Sequence, residues 1–74
     1  MSPANMTPTR REMGIRIKAV REERGLTQAE VASRASITTT YYAQIERGEV
    51  NVSTDKFEKI LHVLKVKSSR ILPF

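Results

Sequence analysis

Three consecutive threonines, Thr38, Thr39 and Thr40, followed by Tyr41 and then Gln44, gather hydroxyl and carboxamide groups within one short segment. Such groups donate and accept hydrogen bonds, so their chemistry is recognition. A glutamine can bind adenine through two bonds, and a threonine can bond a base edge or touch a thymine methyl. The single histidine, His62, has no second histidine and no cysteine with which to complete a metal site, and no poised nucleophile lies near it in sequence. The lack of cysteine also removes disulfides, thiolate zinc sites and cysteine nucleophiles. These residues imply no enzyme, no cofactor and no small-molecule ligand.

The charge balance points the same way. Thirteen Lys and Arg stand against eight Asp and Glu, giving a formal charge of +5 and a pI near 10.1. A basic surface favours polyanions, nucleic acid first, because each neutralised phosphate releases condensed counterions. A chain of 74 residues has room for one domain with a small core, which makes a homodimer the expected state. The opening MSPANMTP has no charged region followed by an apolar run, and no stretch approaches the length of a bilayer. The expectation is a soluble, untargeted, cytoplasmic protein with no membrane partner.

The elements that position the polar segment are written in capping residues. Residues 1–8 read as a flexible tail and residues 9–74 as the domain. Thr9 with Glu12 predicts a capping box, with Met13, Ile17 and Val20 following at helical spacing until Gly25. Thr27 with Glu30 predicts a second box and a helix over about 28–35, carrying Val31, Ala32 and Ala35. Thr38 caps a third helix over about 39–47 that stops at Gly48. Ser53 caps a fourth, with Asp55 in its first turn and a stripe of Phe57, Ile60, Leu61 and Leu64. After Val66 a last turn is expected, with Ser68 or Ser69 as its cap. No segment alternates like a strand, so the chain reads as all-α, a compact bundle of four to five short helices that must share one core.

Residues 28–47 pair two short helices across a turn of about three residues, a helix-turn-helix. A steep crossing needs a small residue at the contact, and Ala32 supplies it, with Val31, Ala35, Ile37, Tyr42 and Ile45 facing inward. Tyr41 and Tyr42 point about 100° apart, so both cannot be core. Tyr42 takes the inward position, where its hydroxyl needs a partner or an edge. Thr39, Thr40, Tyr41 and Gln44 then form the outward face, able to read bases in the major groove of double-stranded DNA.

With those positions fixed, LTQAEVASRASI, Tyr41 and QIERG resemble the Cro and phage-repressor (XRE-type) helix-turn-helix family over about residues 13–72, Met13, Gly14, Ile17 and Arg21 being further markers. The resemblance implies a lambda-repressor-like DNA-binding domain and a homodimeric transcriptional regulator on a pseudo-palindromic operator. The short length, Asn51-Val52-Ser53 and Ser69-Arg70-Ile71-Leu72 look like controller proteins of restriction-modification systems. It further implies phosphate contacts from Gln28, Thr38, Arg47, Asn51 and Arg21. Arg21 is expected to pair with Glu46 as well. Leu72 and Phe74 either fold back on the fourth helix or form a dimer interface within residues 64–74 with Leu64, Val66 and Ile71, and the resemblance favours the dimer. The alternative is an antitoxin-like or antirepressor-binding module that docks a protein through the same apolar end.

Three features depart from the pattern or stay apart from it. Ser36 stands where the family turn usually has glycine, at a cost of about 1 kcal/mol if the backbone there is left-handed. Thr39 stands where the controllers often carry arginine. Lys56, Lys59, Lys65, Lys67 and Arg70, interspersed with Asp55 and Glu58, read as a solvated face.

Overall fold

A computed structural model describes residues 6–73, with side chains described within residues 9–73. Its five helices are α1 (Met6–Glu23), α2 (Gln28–Arg34), α3 (Thr39–Glu46), α4 (Thr54–Leu64) and α5 (Ser68–Ile71). No described helix is long and apolar enough to cross a membrane.

Hydroxyl side chains start three of them. Thr27 accepts from the Glu30 amide while the Glu30 carboxylate accepts from the Thr27 amide, a complete capping box. Thr38 accepts from the Tyr41 amide, and Ser53 from the Lys56 amide. Two starts differ from the sequence expectation. α1 begins at Met6, so Thr9 lies inside it and Met6, Thr7 and Pro8 are helical, while residues 1–5 fall outside the described residues. A proline in the first turn removes no bond, because those amides have no partner within the helix. α5 is preceded by Lys67, with no side-chain cap, and both Ser68 and Ser69 are helical.

The four longer helices end alike. Leu26, Ile37, Glu49 and Val66 each return their amide to a carbonyl five residues back, on Arg21, Ala32, Gln44 and Leu61. Such a closure puts the preceding residue in the left-handed region. Gly25 and Gly48 are there at no steric cost, but so are Ser36 at φ 59° and Lys65 at φ 55°. Ser36→Gly is therefore expected to stabilise the domain by about 0.5–1 kcal/mol. An unchanged or lowered urea midpoint for that variant would show that the turn is not strained.

The core is built from Ile17 and Val20 of α1, Val31, Ala32 and Ala35 at α2, Tyr42 and Ile45 of α3, Ile60, Leu61 and Leu64 of α4, and Ile71 of α5. α1 packs on α3 and α5, and α2 packs on α3 and α4. At the α1–α3 contact, a Cβ on Gly14 would lie 2.3 Å from the Glu46 carbonyl oxygen, so only glycine lets the backbones come so close. Arg24 ties α1 to the end of α4, its Nε donating to the Leu64 carbonyl at 2.9 Å. Arg16 Nη1 donates to the Leu72 carbonyl.

This packing corrects part of the expected dimer surface. Leu64 and Ile71 are fully buried within the chain itself and have no surface to offer a second copy. In so small a domain the apolar end of the chain completes its own core. Val66 and Leu72 are half-buried, and Phe74 lies outside the described residues. Ile15 is 55% exposed on α1, and nothing in the structure explains an isoleucine there.

Candidate nucleic-acid interface

α3 carries the polar face. Thr39 and Thr40 are exposed at its start, and Gln44 is half-buried one turn on. Tyr41 is half-buried against the core, so only part of its side chain is open to a partner. Thr38 caps the helix, and because its oxygen accepts the Tyr41 amide, its own hydroxyl proton is left to donate elsewhere.

Behind this face lies a charged network that fixes the far end of α3. Arg21 Nε donates to Glu46 Oε2 at 2.6 Å and Arg21 Nη2 to Glu46 Oε1 at 3.2 Å, a two-pronged pair that leaves the side chains only 11% and 3% exposed. Gln28 Nε2 adds a donor to Glu46 Oε1 at 2.9 Å, and Arg21 Nη1 donates to the Leu26 carbonyl. Burial alone pushes the Glu46 carboxyl up, but the Arg21 bond, aided by Tyr42 and Gln28, outweighs it and holds the pKa below the ordinary value. The bond to Glu46 likewise raises Arg21. α1, α2 and α3 are thus joined through one carboxylate.

Tyr42 is the weak point of the network. Its ring is wholly buried and its hydroxyl has no hydrogen-bond partner of good geometry, although it lies close enough to Glu46 and Arg21 to feel both charges. Burial first, and Glu46 after it, raises its pKa. The sequence expectation that this hydroxyl needs a bond or an edge is answered only by this off-geometry approach to Glu46. A buried hydroxyl without a well-formed bond is destabilising, so Tyr42→Phe is expected to gain about 1 kcal/mol. A loss of that size in thermal melts would show that the hydroxyl binds Glu46 after all.

The residues expected at phosphates are mostly engaged within the chain. Arg21 is held by Glu46 and Leu26 with only 11% of its side chain exposed, so it braces α3 and has only that exposed edge with which to meet a phosphate. Gln28 has one of its two side-chain N–H groups on Glu46, which leaves the other, and the backbone amide of the first helical turn, to offer a phosphate. Arg47 grips Glu49 with two bonds, Nε to Oε2 at 2.9 Å and Nη2 to Oε1 at 3.0 Å. Asn51 Oδ1 accepts from Arg10 Nη1 at 3.2 Å. The Arg47–Glu49 pair was missed in the sequence, where opposite charges two apart across Gly48 were its only signal.

A short helix capped by Thr27, a tight turn and a second helix that exposes its polar start is a helix-turn-helix, and the helix-turn-helix family profile matches residues 17–71. The chain belongs to the helix-turn-helix family, of the XRE type. The immunity repressor protein of Bacillus phage phi105 is 40% identical over 60 residues, which are 81% of this chain and 42% of that protein. The chain therefore spans about two fifths of the length of that relative. Among solved structures, the restriction-modification controller protein C.AhdI from Aeromonas hydrophila superposes with a TM-score of 0.81 at 25% identity, covering 93% of this chain and 98% of that one. The clp gene regulator ClgR from C. glutamicum superposes with a TM-score of 0.81 at 24% identity, covering 85% of this helix-turn-helix chain and 82% of that one, a likeness of fold.

Proposed function

We propose that this helix-turn-helix chain is a transcriptional regulator that binds double-stranded DNA by placing α3 in the major groove. The observation that carries the reading is the exposed polar start of α3, with Thr39 and Thr40 free of core duties, on a helix whose far end is fixed by the Arg21–Glu46–Gln28 network. Rigid presentation of short polar side chains is what base readout needs, and the net charge of +5 supplies attraction to phosphate. The names of the phage repressor and the restriction-modification controller support the same class of role.

The regulator acts by binding, without catalysis, in the cytoplasm. It works as a homodimer on a pseudo-palindromic operator, its two reading helices about 34 Å apart in successive major grooves. Val66 and Leu72, half-buried near the C-terminal end, are the residues of the expected interface that keep some surface for a second copy. Control of restriction-modification genes is the narrower form of the proposal, supported by the near-complete overlap with the controller fold.

The test is binding of the unsubstituted protein to duplexes selected from a randomised pool and to scrambled versions of them, across a salt series. Tighter binding to the selected duplex, with affinity falling steeply in salt for both, is expected. Equal affinity for both at every salt concentration would remove the proposal.

A further inference from the structure

A cation with no carboxylate partner can meet a phosphate without first giving up an ion pair. The two arginines that bracket α3 in the structure, Arg21 and Arg47, are both held by carboxylates, Glu46 and Glu49. Lys56 is different. It stands in the first turn of α4, half-buried, and forms no ion pair among the described residues, whereas Lys59, one turn on, pairs with Asp55 at 3.7 Å. Lys56 also lines one open groove with Thr38 and Tyr41 of the α3 start and with Ser36 and Ile37 of the turn.

That juxtaposition separates Lys56 from the solvated lysines of its neighbourhood. We propose that Lys56 and the Thr38 hydroxyl together form a phosphate clamp beside the reading helix, and that Lys56 is the charged residue that seats α3 on the DNA backbone. Thr38 has its proton to give, since its oxygen already accepts the Tyr41 amide. The Lys56 ammonium has three donors and no acceptor among the described residues, while its backbone amide is satisfied by Ser53. A phosphate oxygen entering the groove meets both a full charge and a neutral donor, with Thr39 and Thr40 next along the helix toward the bases. The contact fixes register and carries no sequence information itself.

The inference rests on the DNA-reading proposal, and one experiment separates the two. Affinity for the selected duplex is measured against salt for the unsubstituted protein, Lys56→Gln, Lys56→Arg and Lys59→Gln. Thermal melts of each variant confirm that it is folded. Lys56→Gln is expected to bind roughly 5- to 10-fold more weakly near 0.1 M salt and to lower the slope of log affinity against log salt by about 0.9, the loss of one phosphate contact. Lys56→Arg is expected to keep the slope, and Lys59→Gln to leave it within error of the unsubstituted protein. A Lys56→Gln slope equal to that of the unsubstituted protein, or an equal drop in Lys59→Gln, would overturn the clamp while leaving DNA reading in place. No salt-dependent binding by the unsubstituted protein would overturn both.

Discussion

Gly14→Ala, the addition of one methyl group, is expected to destabilise the domain by about 3 kcal/mol or more, at the upper end of what overpacking costs. A Cβ there would meet the Glu46 carbonyl oxygen at 2.3 Å and the Ile45 carbonyl oxygen at 2.7 Å. Both are backbone atoms, so no side chain can swing aside. Either α1 and α3 part or the helix bends. The sign makes the test sharp, because alanine in the middle of an exposed helix usually gains about 1 kcal/mol over glycine from propensity alone. With total stability for a domain of this size near the low end of about 5–15 kcal/mol, much of the population would unfold on mild heating. Urea denaturation decides it, and a midpoint equal to or above that of the unsubstituted protein would mean that the close approach is not needed.

The second large effect is at Glu46. Glu46→Ala leaves the Arg21 guanidinium and the Gln28 amide facing a gap, and removing one partner of a buried pair costs about 3–5 kcal/mol. The double variant Arg21→Ala, Glu46→Ala is expected to be less damaged than the sum of the single ones, with a coupling of about 0.5–3 kcal/mol. The same residue sets a pH response. Its folded pKa lies below the ordinary 4.5, so the unfolded chain takes up the proton first. The contribution is therefore complete above the ordinary carboxylate range and is lost as pH falls through the depressed folded value. Melts between pH 7 and pH 3 should fall more steeply for the unsubstituted protein than for Glu46→Gln. Parallel curves would show that another carboxylate carries the acid sensitivity.

The parts of the fold that were legible in the sequence are those with local causes. A cap acts on an amide three residues away, so Thr27, Thr38 and Ser53 announce α2, α3 and α4 by themselves. The left-handed turn at Ser36 was legible only through the family resemblance, which puts glycine at that position. The start of α1 was hidden because Pro8 and Thr9 look like a boundary, yet a first-turn proline gives up no helix bond. Leu64 and Ile71 read as surplus apolar surface, yet both belong to the buried core, Leu64 on α4, which packs on α2, and Ile71 on α5, which packs on α1.

At the site, residue type was legible and availability was not. Arg47 looks like a free cation until the turn after α3 brings Glu49 against it, and Gln28 looks free until Glu46, eighteen residues on, takes its amide. Lys56 shows the reverse. It is one lysine among several in sequence, and only the placement of α4 beside the turn sets it in the groove with Thr38 and Tyr41.

Base-resolved selection tests the central proposal most directly. Duplexes are selected from a randomised pool by the unsubstituted protein and, separately, by folded Thr40→Ala and Gln44→Ala variants, and the enriched sequences are compared position by position. If α3 reads the bases, the unsubstituted protein yields two symmetric half-sites about one helical turn apart, and each variant relaxes the preference at its own position in both halves. An enriched sequence unchanged in both variants, or no enrichment at all by the unsubstituted protein, would contradict a reading role for α3.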